Sequence, residues 1–473
     1  MGRDVPTPSP AAGPPVTAAP YRPPAPVPHA APLGLLAFYR ALSRNPITAW
    51  PMAAYTEPMV RLAGRRILPD VLFVTDPALL RHIFVDAVSI YDKGEVVRRR
   101  LRPALGDGLL IAALPGWRPQ RRIVAPLFQA RRVETMLPAM VDVARAAADH
   151  LGGLPAGTVV DLHAVLSDLT YRVIAATAFS SEGVRDPAAF SQAIAAYFDT
   201  LGRVDAASFL NLPDWLPTLG RWRARPALTL FRREIGRVVE LRRAALARDG
   251  AAALPDDLLT RMLTATDPQS GAPLPPERVY DNTVTFLAAG HETTANTLCW
   301  VLFVLSQVPS WDAAVAAELA LASPRDAVTP GALPLTRAVI DEVLRLYPPA
   351  PLIPRMAEQA DDLGGLAVRP GTIVFTSPFV SQRHRARWED PDVFRPERFL
   401  PGAAAPDRLA YFPFGAGPRV CIGAAFAIQE ILAILTAVLP RLRFESVRPQ
   451  DVFPRATITL KPGDSLPMRI LPR

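Results

Sequence analysis

One cysteine lies near the end of a glycine- and proline-rich loop, directly before a long and mostly apolar segment. The loop spans Phe412 to Gly423 and contains Cys421, and residues 424–439 follow it. The length and hydrophobicity of that segment predict a buried helix rather than a strand. Cys421 would then lie at a helix N-terminus, where unpaired N–H groups and the helix dipole stabilise a thiolate. The loop alone leaves open a ligand of haem iron, a ligand of an iron–sulfur cluster and a small buried thiol.

Two other chemical motifs are begun in the sequence but not completed. Gly415 and Gly417 begin a dinucleotide-binding G-x-G-x-x-G pattern, which requires glycine where Val420 stands. A zinc-binding H-E-x-x-H pattern begins at His291 but lacks its second histidine, because position 295 is Ala295. We therefore expect neither a phosphate-binding loop nor a zinc site.

Small residues, a carboxylate and a hydroxyl follow one another in the middle of the segment 275–308, which has the pattern of a strong helix. Ala289 and Gly290 leave space where larger side chains would be, and Glu292 and Thr293 come shortly after them. Space beside a hydroxyl with an adjacent carboxylate suits dioxygen binding and proton delivery. The plain alternative is that the threonine hydroxyl bonds back to a carbonyl one turn earlier.

Two further pairs have helical spacing. Trp117 and Arg121 are four residues apart, and Glu342 and Arg345 are three apart, so each pair shares a helix face. Taken alone, the first pair is typical of an ordinary amphipathic helix. The second is typical of a surface ion pair, which contributes roughly 0.2–0.5 kcal/mol.

Together these segments resemble the cytochrome P-450 family of haem-thiolate monooxygenases. The loop that carries Phe412, Gly415, Arg419, Cys421 and Gly423 resembles the loop that supplies the axial cysteine in that family. The order along the chain is also that of the family, with a W-x-x-x-R helix, an A-G-x-[DE]-T-T segment, an E-x-x-R pair, a P-E-R-F segment and then the cysteine loop. The resemblance covers about residues 35–473.

The resemblance implies a fold and a domain organisation. A length of 473 residues favours about three domains as a prior, but the family has one large, mainly α-helical domain with a small β-rich part. We expect the cytochrome P-450 fold for residues 33–473, with haem between the oxygen-binding helix and the helix after the cysteine loop. Residues 1–32 are rich in proline and alanine and are expected to form a disordered leader.

Roles in the site follow from the resemblance, residue by residue. Cys421 is expected to ligate the iron of haem b, and Glu292 and Thr293 to steer protons to the distal oxygen. The other cofactor-binding residues implied are Trp117, Arg121, Ala289, Gly290, Arg355, Phe414, Gly415, Arg419 and Gly423. Among them, Trp117 and the arginines would hold the haem propionates, and Phe414 would shield the sulfur. A buried charge cluster with a structural role is expected from Glu342, Arg345 and Arg398. The substrate pocket is expected to include Ile111, Phe286, Thr294, Leu352 and Ile353.

The activity implied is insertion of one oxygen atom of O2 into a C–H or C=C bond of a small hydrophobic substrate. Electrons would come from a separate ferredoxin or flavodoxin with its reductase, since no flavin or iron–sulfur domain follows the final segments. Basic residues near Trp117 would steer such an acidic partner, with a solvated arginine face as the plain alternative. These residues are Arg118, Arg122, Arg131 and Arg132.

Several functions stay open beside this one. A haem-thiolate peroxygenase or isomerase needs no redox partner, but the family's peroxygenases lack an acid–alcohol pair such as Glu292 and Thr293. A non-catalytic haem sensor is a second rival. The substrate is not identified, because the branches that share the His-Glu-Thr-Thr form oxidise fatty acids, terpenoids and polyketides.

Composition narrows the cellular setting. The net charge is +8, from 52 basic and 44 acidic residues, and no nucleic-acid-binding motif accompanies the scattered basic residues. The chain has two cysteines, which exclude a disulfide framework and fit a reducing cytoplasm, and Cys299 is expected to be a core residue. No stretch has the roughly 20 apolar residues that a membrane span needs. We therefore expect a cytoplasmic monomer that binds no nucleic acid.

Overall fold

A computed structural model describes residues 20–65, 68–180, 184–201, 219–327, 329 and 331–473. Helices make up most of the regular structure in these ranges. The α-helices are α1 (Leu35–Arg44), α2 (Pro77–Arg81), α3 (Glu95–Leu105), α4 (Leu114–Val124), α5 (Ala130–Glu134), α6 (Leu137–Gly152), α7 (Leu162–Phe179), α8 (Pro187–Leu201), α9 (Leu219–Asp249), α10 (Leu258–Thr264), α11 (Pro276–Gln307), α12 (Pro309–Leu321), α13 (Pro334–Leu346), α14 (Pro378–Ser381) and α15 (Ala424–Val438).

Short strands form the small β-rich part. The strands are β1 (Met59–Arg65), β2 (Leu68–Val74), β3 (Tyr91–Asp92), β4 (Val159–Asp161), β5 (Ile353–Ala357), β6 (Asp361–Leu363), β7 (Leu366–Val368), β8 (Ile373–Thr376), β9 (Leu442–Ser446), β10 (Arg455–Ala456), β11 (Leu460–Lys461) and β12 (Pro467–Pro472). The largest sheet has the order β1-β2-β8-β5-β3, in which only β2 and β8 are parallel. A second, antiparallel sheet has the order β4-β12-β9, and β6–β7 and β10–β11 form antiparallel pairs. The prediction of a mainly helical fold with a small β-rich part is confirmed.

One hydrophobic core extends from the first helix to the last strand. Phe38 of α1, Trp300 of α11 and Ile470 of β12 are all buried in the same cluster. The first helix and the last strand therefore share one core and do not belong to the separate domains that length alone favours, and two further clusters of buried apolar residues are also present in the described chain.

The central helix of this core is α11. It begins at Pro276, where the missing N–H of proline costs no hydrogen bond, and it ends before Pro309 starts α12. Cys299 lies on α11 and is fully buried, as expected for a core residue. Both α7 and α15 pack against α11. The two segments whose sequences suggest chemistry therefore belong to helices that touch each other.

The packed chain begins before the expected start of the domain. Tyr347 Oη donates to Pro24 O over 2.7 Å, and Phe394 N donates to Tyr21 O over 2.9 Å. The last part of the expected leader is thus held against the domain by hydrogen bonds to distant residues. Residues 1–19 lie outside the described residues.

Membrane-spanning potential is confined to one pair of helices. No helix in the described ranges is by itself long and apolar enough to cross a bilayer. The pair α11 and α12 passes the same test only jointly, and it is bent by 119° between the two helices. α11 is buried in the protein core, which accounts for its apolar composition.

Candidate active site

A mainly apolar cavity of about 1090 Å³ is lined by the cysteine loop and by residues of α11 and β5. It collects all of the residues that the sequence analysis assigned to cofactor or substrate, together with Thr293. Those that line it are Ile111, Trp117, Arg121, Phe286, Ala289, Gly290, Thr293, Thr294, Leu352, Ile353, Arg355, Phe414, Gly415, Arg419, Cys421 and Gly423. Of the expected proton-transfer pair, Thr293 lines the cavity and Glu292 does not.

Hydrogen bonds within the cysteine loop fix the position of Cys421. Cys421 N donates to Phe414 O over 2.9 Å, and Gly415 N donates to Phe412 O over 2.9 Å. α15 begins at Ala424, with Gly423 as the residue before it. The cysteine therefore lies at the head of a helix, as the sequence predicts.

Gly417 allows this loop to pass close to the helical turn His82–Asp86. Its φ is +69°, and a Cβ at this position would lie 2.0 Å from Phe84 O. At Gly415, where φ is +75°, a Cβ would come no closer than 3.9 Å to Ile353 Cδ1. Gly417 is therefore the glycine that the loop requires for steric reasons, since a side chain would meet backbone there.

Opposing effects act on the pKa of the Cys421 thiol. Burial raises it above its ordinary value, while a hydrogen bond from the Gly423 backbone and the positive charge of Arg121 lower it. The net direction is upward, although the side chain is exposed to the cavity. A metal ion at the sulfur would supply the further positive charge that favours the thiolate.

The Trp117 ring lies next to two arginines at the cavity wall. The Arg419 guanidinium carbon lies 4.9 Å from the centroid of the Trp117 ring, and that of Arg121 lies 6.0 Å from it. Arg419 also donates from Nη1 to Ala112 O over 3.0 Å, and its Nη2 lies 3.0 Å from Asp92 Oδ1. The W-x-x-x-R pair and the arginine of the cysteine loop, distant in sequence, thus meet in one place.

Arg355, which is buried, and Lys93, which is partly buried, belong to the same group of cations. Arg355 Nη1 donates to the adjacent Pro354 O over 2.9 Å, and its guanidinium carbon lies 5.1 Å from the Phe84 ring centroid. Burial and the charge of Arg419 lower the pKa of Arg355 to about 10. Burial, followed by the charges of Arg355 and Arg419, lowers the pKa of Lys93 well below its ordinary value.

Positive charge exceeds negative charge at this wall of the cavity. Asp92 is the carboxylate that pairs with Arg419, and it is also bound by Arg98. A surplus of buried and partly buried cations favours a bound anion, and arginine pairs well with carboxylates. The sequence analysis did not assign Lys93. The available signal was that it is one of two lysines in a chain whose other basic residues are arginines.

The α11 threonines bond back to their own helix. Thr293 Oγ1 donates to Ala289 O over 2.7 Å, and Thr294 Oγ1 donates to Gly290 O over 3.0 Å. This is the plain alternative raised by the sequence. The Thr293 side chain is nevertheless only partly buried, and both it and Ala289 line the cavity.

Glu292 is buried and points to the C-terminal segment. Its Oε1 accepts a hydrogen bond from Thr459 Oγ1 over 2.7 Å. Thr459 itself lines the cavity. The acid and the cavity are therefore connected through a threonine that lies far along the sequence, which no local motif indicated.

Gly290 does not leave the open space that its size suggested. A Cβ there would lie 2.5 Å from Cδ1 of Ile174, a residue of α7. Ile174 also lines the cavity. The space beside the α11 motif is thus partly filled from a neighbouring helix.

The expected charge cluster lies outside the cavity. Glu342 and Arg345 have no exposed side-chain surface, and Arg345 donates to both Glu342 oxygens over 2.7 Å. The remaining N–H groups of Arg345 bind the carbonyls of Gln382, Pro391 and Val393. Arg398 Nε lies 3.7 Å from Glu342 Oε1.

The four arginines near Trp117 have different surroundings. Arg118, Arg131 and Arg132 are exposed, and α5, which carries the last two, packs on α15. Arg122 instead donates from Nε and Nη2 to the two oxygens of Asp267, each over 2.7 Å. The charge of Arg122, whose side chain is 29% exposed, is therefore paired with a buried carboxylate and contributes little to a basic surface.

Comparison with known proteins identifies the family. The family model described as Cytochrome P450 matches residues 32–466. The chain is 32% identical to Cyclooctatin synthase of Streptomyces melanosporofaciens over 84% of each chain. It is also 32% identical to Pentalenene oxygenase of Streptomyces avermitilis, over 86% of this chain and 89% of the relative. Cyclooctat-9-en-7-ol 5-monooxygenase of Streptomyces melanosporofaciens is 32% identical over 85% of this chain and 88% of its own. The chain therefore belongs to the cytochrome P450 family and is a monooxygenase of that family.

Proposed function

We propose that this monooxygenase inserts one oxygen atom of O2 into a C–H or C=C bond of a hydrophobic substrate, with haem b held by the Cys421 thiolate. The observation that carries the proposal is the set of residues around one cavity. Cys421, the α11 residues Ala289 and Thr293, and a surplus of buried cations all line it. A ligand, a space for a diatomic molecule and an anion site thus occur together.

The residues of the cavity fit haem b. Its two propionates are carboxylates, which would neutralise the surplus charge of Lys93, Arg121, Arg355 and Arg419. The apolar walls would cover the porphyrin, and Phe414 would shield the sulfur. A haem bound there would supply the oxygen-activating chemistry that thiolate ligation favours.

Thr293 and Glu292 are proposed to deliver protons to oxygen bound in the cavity. Thr293 Oγ1 now donates to Ala289 O, and rotation of its hydroxyl would let it donate into the cavity instead. Glu292 accepts the Thr459 hydroxyl, so Thr459 would pass a proton between this acid and the cavity. Thr459 thereby joins the expected acid–alcohol pair as its third member.

The proposed substrate is a hydrocarbon or a singly hydroxylated hydrocarbon of the terpenoid kind. The hydroxyls of Thr177 and Thr285 line the cavity, but each donates to a carbonyl of its own helix, over 2.8 Å and 2.7 Å. The wall therefore favours apolar surface. The names of two relatives, Pentalenene oxygenase and Cyclooctat-9-en-7-ol 5-monooxygenase, refer to compounds of this chemical type.

Electrons are proposed to come from a separate ferredoxin or flavodoxin. Arg131 and Arg132 present exposed positive charge on α5, next to the helix that follows Cys421. Such a surface would attract an acidic partner.

A peroxygenase would instead turn over with hydrogen peroxide alone, so a higher rate with peroxide than with reductase and ferredoxin would overturn this part of the proposal.

The ligand is tested by the spectrum of the reduced, carbon-monoxide-bound protein. The unaltered protein should show the red-shifted band of thiolate ligation, and Cys421→Ala should lose it. Cys299→Ala is the matched control, because Cys299 is buried in the core and should leave the band in place. A red-shifted band that survives in Cys421→Ala would refute the assignment of this ligand.

The substrate class is tested by titration with hydrocarbons, their alcohols and fatty acids. A ligand that enters the cavity and displaces water from the iron should shift the haem absorption band. We expect polycyclic hydrocarbons and their mono-alcohols to bind more tightly than fatty acids of similar size. The reverse order would exclude the proposed class.

A further inference from the structure

The helix α7 touches α11 at the residues directly before Glu292. Thr170 and Ile174 are one helical turn apart on α7, so both face the same neighbour. Thr170 Oγ1 lies 2.9 Å from His291 O and also 2.9 Å from Leu166 O of its own helix. The Thr170 hydroxyl of α7 therefore contacts the His291 carbonyl, in the middle of the expected oxygen-binding motif at residues 289–294.

Ile174 contacts the preceding residue of that motif. A Cβ on Gly290 would lie 2.5 Å from Ile174 Cδ1, a distance that real side chains do not tolerate. The absent side chain of Gly290 thus lets α7 approach α11, and the tip of Ile174 takes the vacated space. Ile174 is 6% exposed, and it lines the cavity. Part of the cavity wall beside Thr293 is therefore made by α7.

The stretch of α11 backbone that contacts α7 also accepts hydrogen bonds from two α11 hydroxyls. Gly290 O accepts from Thr294 Oγ1, and Ala289 O accepts from Thr293 Oγ1. A shift of this backbone would change the direction of both hydroxyls, since each is tied to a carbonyl one turn earlier.

We propose that Thr170 and Ile174 are positioning residues, through which α7 sets the shape of the cavity wall and the place of the α11 threonines. This inference rests on the proposed role of Thr293. Neither residue lies in a sequence motif of the site. Thr170 acts through α11, and Ile174 acts through its contact with Gly290 and as part of the cavity wall.

The contact between Ile174 and Gly290 is tested by adding a methyl group at position 290 and then removing one from position 174. Gly290→Ala alone should weaken the binding of 4-phenylimidazole to the holoenzyme by about tenfold, the factor that 1.4 kcal/mol of overpacking would produce. The double variant Gly290→Ala/Ile174→Val lacks the clashing Cδ1 and should return to within about threefold of the unaltered protein. Val173→Ala is the control, because Val173 is fully buried beside Ile174 and does not line the cavity. It should leave binding unchanged.

The hydrogen bond of Thr170 is tested by measuring how much hydrogen peroxide the enzyme releases per electron consumed. When protons are not delivered in the way that leads to O–O cleavage, O2 that has taken up two electrons and two protons keeps its O–O bond and leaves as hydrogen peroxide. Thr170→Val should raise the peroxide released per electron by about threefold. A threefold change corresponds to a free energy of RT ln 3, which is no larger than the contribution of one hydrogen bond. Thr170→Ser keeps the hydroxyl and should behave like the unaltered protein.

Either of two results would overturn the inference while leaving the proposed function intact. One is a double variant that binds as weakly as Gly290→Ala. The other is equal peroxide release from Thr170→Val and Thr170→Ser. If the unaltered protein lacks the red-shifted carbon-monoxide band, the proposed function fails together with this inference.

Discussion

At the scale of single residues, Glu430 on α15 is an acid in a nearly dry interior. Its side chain is 1% exposed, and neither carboxyl oxygen has a hydrogen-bond partner among the described residues. Burial raises its pKa well above 4.5, while the nearby Thr294 hydroxyl acts in the opposite direction. Glu430 therefore keeps its proton to a higher pH in the folded protein than in the unfolded chain.

This protonation makes stability depend on pH. Above pH 4.5 the unfolded chain releases the proton that the folded protein retains, so the free energy of unfolding falls as the pH rises towards the raised pKa. Below pH 4.5 the contribution is absent. Glu430→Gln, which is neutral in both states, should give a flatter profile above pH 4.5 in denaturant unfolding of the holoenzyme. The exposed Glu134→Gln is the control, and a Glu430→Gln profile parallel to that of the unaltered protein would contradict the prediction.

At the scale of elements, the approach of the cysteine loop to the turn His82–Asp86 depends on Gly417. Gly417→Ala would place a methyl group 2.0 Å from Phe84 O and would also strain a positive φ. Gly402→Ala is a matched control, since Gly402 has φ +89° but open space around it. We expect Gly417→Ala to lower the free energy of unfolding by about 2 kcal/mol more than Gly402→Ala does. Equal losses in thermal or denaturant unfolding would show that the contact with Phe84 is unimportant.

The helix α13 offers a second matched pair. Arg345→Met would leave Glu342 buried without its main partner and should cost about 3–5 kcal/mol of unfolding free energy. Arg337→Met removes an ion pair with Asp341 on the same helix, where the arginine side chain is 48% exposed, and should cost less than about 1 kcal/mol. Similar costs for the two variants would mean that the cluster is not the structural element that we infer.

At the scale of the whole molecule, the distribution of basic residues matters more than the net charge of +8. Arg131 and Arg132 are exposed, whereas Arg122 is bound to Asp267, whose carboxylate is almost fully covered. The Arg122 guanidinium holds the pKa of Asp267 well below its ordinary value. The same residue type therefore carries surface charge in one case and neutralises a buried carboxylate in the other.

Electron transfer should distinguish these arginines. Arg131→Ala/Arg132→Ala should slow reduction by an acidic ferredoxin at low ionic strength, and the difference should shrink at about 1 M salt, where the screening length is about 3 Å. Arg122→Ala should leave that rate nearly unchanged and reduce stability instead, because Asp267 loses its partner. A rate that depends on Arg122 as strongly as on Arg131 would contradict this division.

Much of the site could be predicted because its parts are short segments with local geometry. Helical spacing puts Trp117 and Arg121 on one face, and the loop with Cys421 leads directly into α15. Contacts between distant segments had no such signal. The hydrogen bond from Thr459 to Glu292 and the packing of Ile174 on Gly290 join residues from different elements, and no spacing in the sequence encodes them.

The sequence by itself determined the family, the mainly helical fold and some of the residues that face the cavity. It could do so because loop glycines, helix periodicity and neighbouring chemical groups act over a few residues, where the chain's own geometry is fixed. Only the tertiary structure decided that Lys93 joins the cations at the cavity wall, that Arg122 is bound to Asp267 and that α7 fills the space at Gly290. Burial and charge pairing arise from the packing of elements that are distant in the chain, so they become defined only when the chain is folded.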